Sequence, residues 1–191
     1  MKISVRDLGG TPVLAGAVSG RAMLGQLLVA VGAEPERPEP VFLDFAGVEV
    51  ATASFLRESV LAFRDAVRGG HSNFYPVIAN ANEAVREELA LLLRVRGDAL
   101  MACALAEGGA VSAAAPLGDL DPKQRFTFDL VRERGETDAG TLMRDFGESE
   151  GVTRTTAWNN RLAALAALGL VVEESQGRAK RYRALFTEEA A

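Results

Sequence analysis

The stretch TRTTAWNNRLAALAALGLVVEESQGRAKRYRAL, residues 153–185, decides how this chain is read. Thr153 is positioned to cap a helix in which Trp158, Leu162 and Leu165 recur at the spacing of one buried face. A Gly-Leu pair, Gly169-Leu170, closes that helix. A short apolar strand, a tight turn and a second strand follow. In the second strand Arg178, Lys180, Arg181 and Arg183 fill four of six positions.

If Trp158, Leu162 and Leu165 face inward, helical geometry puts Thr155, Thr156, Asn159 and Asn160 on the opposite side, near the helix N-terminus. Arg154 and Arg161 flank them. A helix with such a face, followed by a basic two-stranded ribbon, is the pattern of the recognition helix and wing of a winged helix-turn-helix. In that docking mode the early outward positions reach base edges in the major groove. Asn pairs bidentately with adenine, Thr bonds a base or touches a thymine methyl, and arginines and lysines grip phosphate. Residues 151–185 hold six basic and two acidic residues within a chain of net charge −5. A local basic patch in an acidic protein is what a duplex-binding face requires. The alternative is a polar helix face and a solvated ribbon with no ligand.

Upstream, Asp121-Pro122-Lys123-Gln124 opens a helix: Asp as N-cap, Pro at the first position, and Gln reaching back from the third. Phe126, Leu130 and Val131 form its apolar stripe. Residues 137–146 read as a second helix with Leu142 and Phe146 inward, and 147–152 as the turn. Residues 121–186 resemble the winged-helix regulators of the MarR and ArsR type on the Leu165, Gly169-Leu170 and GRAKRYR features. That resemblance implies a mainly α winged helix-turn-helix domain that binds double-stranded DNA, as a homodimer on a palindromic site.

The N-terminal part alternates strand and helix signals. Residues 3–9 and 12–18 read as two short strands around Gly9-Gly10. Ser19 is positioned to cap a helix carrying Met23, Leu24, Leu27, Leu28 and Val31, ended by Gly32. Residues 33–40, AEPERPEP, are a proline-broken loop. Residues 41–45, VFLDF, form a continuous apolar run ending around Asp44, as a buried strand does. Leu56, Val60, Phe63 and Val67 mark the next helix, and residues 74–80 the next strand. Asn80 and Glu83 suggest a capping box for a helix with Val85, Leu89 and Leu92. Residues 99–106 read as the last strand. Such alternation predicts an α/β sandwich with helices over a mixed sheet.

The segment VFLDFAGVEVATASFLRES, with the helix of residues 19–31 and the run Asn80–Arg86, resembles the STAS-like domain family, a relative of the anti-sigma-factor antagonist fold. The likeness covers about residues 1–105. In phosphorylated antagonists an Asp-Ser-Ser-Gly stretch at this helix N-terminus carries the switch serine. Here the positions read Thr52, Ala53, Ser54 and Phe55, so only Ser54 keeps the pattern. A phosphate there is electrostatically compatible with the helix N-terminus; the simpler role is a cap by Thr52 or Ser54. The resemblance makes Asp44, Thr52, Ser54 and Glu58 the ligand or phospho-switch positions; for Asp44 and Glu58 the simpler use is a surface salt bridge or cap. It also implies that this domain dimerises, senses a small ligand or docks a protein partner.

Residues 108–120, GGAVSAAAPLGDL, are small residues, Gly and Pro with one charge, and read as a linker between a domain at 1–107 and one at 121–191. With 191 residues, 48% of them hydrophobic, the chain can fill two small cores. The N-terminus lacks the apolar core of a signal peptide, no apolar run reaches membrane-spanning length, and Cys103 is the single cysteine, so a cytoplasmic location is expected. The alanine-rich, arginine-over-lysine composition fits a bacterial protein.

Residues 147–151 match the G-x-S-x-G nucleophile motif, but a helix precedes them and the only histidine, His71, lies upstream in a loop. No phosphate-binding loop, dinucleotide fingerprint or metal-ligand spacing occurs, so neither catalysis nor a metal or cofactor is expected. The sequence therefore predicts a DNA-binding transcriptional regulator. The alternative is an adaptor of the anti-sigma-antagonist type docking on a kinase-like or sigma-regulating partner. A nucleotide-binding sensor is a third reading, by family analogy alone.

Overall fold

The computed structural model describes residues 1–70, 72–176 and 179–186. Met1–Asp119 forms one compact unit, and the described residues from Leu120 form a second. The chain is a mixed α/β protein.

The first unit is built on a five-stranded sheet in the order β1-β3-β5-β6-β7. Strands β1 (Lys2–Ser4), β3 (Glu39–Asp44), β5 (Phe74–Ala79) and β6 (Ala99–Leu105) run parallel. Parallel neighbours require crossovers, and helices supply them. They are α2 (Ala17–Val31), a continuous helix over residues 53–69, and α5 (Glu83–Arg96). The middle one comprises α3 (Ala53–Leu56), a π-helical turn (Arg57–Leu61) and α4 (Ala62–Gly69). All of β5 and nearly all of β6 are buried, which is why both read as unbroken apolar runs. Helix α2 comes so close to α3 at Gly20 that a Cβ there would lie 2.7 Å from the Phe55 carbonyl oxygen. Only glycine allows that approach.

Several boundaries differ from the sequence expectation. Residues 3–18 are not a hairpin. A helical turn, α1 (Val5–Gly9), follows β1 and is capped by Ser4, and β2 (Val13–Leu14) pairs in parallel with β4 (Val50–Ala51) in a separate two-stranded sheet. Helix α2 begins after Gly16 with no side-chain cap, so Ser19 lies inside it. Helix α5 is capped by Asn82, whose Oδ1 accepts from the Val85 N–H at 2.9 Å, not by Asn80.

The expected linker is also corrected. Val111–Gly118 forms β7, antiparallel to β6, so β6 is not the last strand. The Gly108-Gly109 stretch is its hairpin turn, where the Ala106 N–H donates to the Ala110 carbonyl at 2.9 Å. Small residues that read as a flexible spacer are an edge strand. Gly118 ends it at φ 100°, where a Cβ would collide with the Asp98 carbonyl oxygen.

The second unit has the order helix, strand, helix, helix, strand, strand. Helix α6 (Pro122–Arg134) starts with the expected capping box of Asp121 and Gln124 and with Pro122 in its first turn. Strand β8 (Glu136–Thr137) precedes α7 (Ala139–Phe146), so α7 starts later than residue 137 and is capped by Asp138. Helix α8 (Thr155–Ala167) starts after Arg154, and Thr153 does not cap it. Strands β9 (Val171–Gln176) and β10 (Ala179–Ala184) form an antiparallel ribbon, and β8 joins it on the far side of β10. Trp158, Leu162 and Leu165 are fully buried with Leu142, Val131 and Leu170. Phe126, only partly buried, packs edge-on to Phe146 at 5.8 Å and tilts against Trp158 at 6.4 Å.

Candidate nucleic-acid interface

Helix α8 separates its residues by face. Opposite the buried Trp158 stripe, Thr155, Thr156, Asn159 and Asn160 are all exposed. Residues four apart stack, so Thr155–Asn159 and Thr156–Asn160 make two short polar rows. Arg154, exposed, precedes the helix with extended backbone, and no side chain caps the helix start.

Thr155, Asn159, Asn160 and Ala163 line one side of an open groove; Lys180, Arg181 and Tyr182 of β10 line another. Asp138, Ala139 and Gly140 at the start of α7 complete it. Of the expected helix and ribbon residues, Thr155, Asn159, Asn160, Lys180 and Arg181 thus share one surface; Arg154, Thr156 and Arg161 lie off its lining, and Arg178 falls outside the described residues.

Arg161 departs from expectation. Its side chain is 10% exposed, its Nη1 donates to Glu150 Oε2 at 2.9 Å, and its guanidinium stacks 4.6 Å from the Trp158 ring centroid. It is held in the fold and does not flank the polar face. A long side chain on α8 folds back over the nearest aromatic because that desolvates its stem while keeping its charge paired.

The ribbon's charge is also more balanced than the count over residues 151–185 implies. Lys180 Nζ lies 2.7 Å from Glu173 Oε1, Arg183 Nε donates to Glu174 Oε1 at 2.8 Å, and Arg181 pairs with Glu136 of β8. Glu150, which adjoins that stretch of sequence, and Glu136, on β8 upstream of it, bring the opposite charge in through the fold. Glu173 has a second task. It accepts from the buried Tyr182 hydroxyl at 3.0 Å, and burial, followed by the Glu173 charge, pushes that phenol well above its ordinary pKa.

Asp138 places a fixed acid on the groove. Its Oδ1 accepts from the Gly140 N–H at 2.8 Å and the Thr141 N–H at 3.0 Å, and its Oδ2 from the Thr141 hydroxyl at 2.9 Å. Burial raises its pKa, but these hydrogen bonds and the Arg181 charge outweigh burial, and the carboxyl titrates below the ordinary range. Asp before the apolar run of α7 is a helix-start signal that could have been read from sequence. Glu136 carries no such signal, because its partner is 45 residues away.

In the first unit the four expected positions serve different contacts. Asp44, 3% exposed, pairs with Lys2 Nζ at 2.8 Å and accepts from the Ala46 N–H at 3.1 Å and Asn80 Nδ2 at 2.9 Å. Asn80, at φ 53°, also donates to the Leu105 carbonyl and accepts from the Leu105 N–H, both at 2.9 Å. Asp44 and Asn80 therefore clasp the ends of β1, β3, β5 and β6. Thr52 caps α3, its hydroxyl accepting from the Phe55 N–H at 3.4 Å and the Gly16 N–H at 3.1 Å, and touching Ser54 Oγ at 3.2 Å. Glu58 pairs with Arg57 at 3.1 Å and Arg21 at 3.5 Å. Cap and clasp account for Thr52 and Asp44 without a ligand.

Ser149 of the G-x-S-x-G match lies in the turn after α7, its hydroxyl donating to the Phe146 carbonyl at 3.1 Å. His71 lies outside the described residues. Cys103 is buried in β6. Among the described residues no helix is long and apolar enough to cross a membrane.

No protein-family model and no curated protein matches this chain.

Proposed function

We propose that the chain is a DNA-binding transcriptional regulator. In this reading the second unit is a winged helix-turn-helix, with α8 as recognition helix and β9–β10 as wing. The first unit is a STAS-like domain that supplies dimerisation, sensing or partner binding. One observation carries the reading: the exposed Asn159 and Asn160 share a groove with Lys180 and Arg181. Base-reading amides beside phosphate-binding cations are the two halves of a major-groove contact. The helix–strand–helix–helix–strand–strand order supports it, as does the antiparallel β8-β10-β9 sheet. The protein acts in the cytoplasm as a homodimer whose two recognition helices fall on half-sites about one DNA turn apart. No catalytic step enters this reading.

A mobility-shift assay with DNA from upstream of the protein's own gene, against random duplex competitor, tests it. Binding that resists competitor supports the reading; no retention of any duplex at low salt overturns it.

The ion pairs on β10 favour a second reading. A ribbon whose described cations pair with acids is suited to a protein interface, as an adaptor needs. The same assay separates the two, since an adaptor leaves duplex DNA unbound.

A further inference from the structure

The groove-lining cations of β10 reach acids on neighbouring strands along sheet diagonals. Lys180 stands opposite Ser175 but pairs with Glu173, and Arg181 stands opposite Glu174 but pairs with Glu136 across the other edge of β10. Diagonal neighbours lie within reach of long side chains. A carboxylate offers a guanidinium two acceptor oxygens, as a phosphate does. We propose that Glu136 and Glu173 act as internal phosphate surrogates, holding Arg181 and Lys180 so that random DNA binds weakly and base contacts by Asn159 and Asn160 decide occupancy. This inference rests on the DNA-binding reading above.

The exposures suit an exchangeable partner. Lys180 and Glu173 are 55% and 27% exposed, and Arg181 and Glu136 are 48% and 41% exposed. Solvent-exposed pairs are weak, so a phosphate can displace either acid, yet each displacement subtracts from the gain of the new contact. Arg161, nearly buried against Trp158, is not exchangeable in this way. Non-specific binding depends on phosphate contacts alone and so suffers the subtraction without compensation. Binding to a cognate site adds base contacts that offset it.

The test is fluorescence anisotropy of the full chain with a short random-sequence DNA duplex at low salt. The variants are Glu136→Gln, Arg181→Ala, the double variant, and the control Glu133→Gln. Glu133 is an exposed acid that forms no ion pair among the described residues, so its variant measures the bulk effect of removing one negative charge. Glu136→Gln is expected to bind about two- to fivefold tighter than wild type, given the weakness of an exposed pair. The gain should vanish when Arg181 is also Ala. Melting followed by Trp158 fluorescence verifies that each variant is folded. Tightening no greater than that of Glu133→Gln, or tightening that persists without Arg181, overturns the surrogate role while the DNA-binding reading stands. A chain that binds no duplex in any variant overturns both.

Discussion

The Arg161 guanidinium stacks 4.6 Å from the centroid of the Trp158 ring while its Nη1 donates to Glu150 at 2.9 Å. The contact ties the middle of α8 to the turn that precedes it. It also withdraws a cation from beside the polar face of α8, where the sequence pattern places it.

Arg161→Ala should therefore act on stability more than on DNA. Losing a partly desolvated cation–π contact and an ion pair is expected to cost the second unit about 1–2 kcal/mol. Trp158 is the only tryptophan in the chain, so denaturant unfolding followed by its fluorescence reads this unit alone. Duplex affinity measured well below the melting point should stay close to wild type. A large affinity loss in a fully folded variant would show that Arg161 leaves Trp158 to grip phosphate.

Asn159→Ala or Asn160→Ala should lower binding to a cognate site by roughly 1–3 kcal/mol and leave random-duplex binding nearly unchanged. Both side chains are exposed, so no loss of fold is expected. Equal weakening on both DNAs would remove the base-contact role.

The Lys180→Ala/Arg181→Ala double variant should weaken binding to all duplexes by about tenfold or more at low salt and flatten the dependence of affinity on salt, because fewer counterions are released. Titration at several salt concentrations gives the slope. An unchanged slope places the ribbon away from DNA.

Asp44→Asn should destabilise the first unit at neutral pH and not in strong acid. Burial raises the Asp44 pKa, but the Lys2 contact and the Ala46 and Asn80 hydrogen bonds outweigh it and leave it lowered. A lowered carboxylate adds stability that is present above its unfolded pKa of about 3.9 and is lost as pH falls through the folded value. The wild-type advantage is expected to be about 1–2 kcal/mol at pH 7 and to shrink below about pH 4. Circular-dichroism melts across pH measure it, and an advantage that does not shrink at all as pH falls below about 4 contradicts the clasp.

The sequence was most legible where the signal is local. The Asp121–Gln124 capping box and the Trp158, Leu162, Leu165 stripe each follow from residues within two turns of one another. It misled where a residue type serves two purposes. Ser112, Ala113 and Ala114 are too small to show a strand's alternation, so β7 looks like a spacer until β6 lies beside it. Asn80 stands at capping-box spacing from Glu83, but the Leu105 backbone, 25 residues on, holds it in the clasp and leaves the cap to Asn82. The groove's acids were hidden for a similar reason. Charge counted along the chain omits Glu136, which reaches Arg181 only because β8 pairs with β10.

The burial of Cys103 has a practical consequence. The thiol is 3% exposed, and burial, with the nearby Asp44 charge, pushes its pKa up to about 11. Alkylating reagents attack the thiolate, which this site scarcely forms at neutral pH. A cysteine introduced at Thr156 or Asn160 would thus be the one position to take up a maleimide dye. The natural chain is already a suitable background for attaching a reporter to the exposed face of α8.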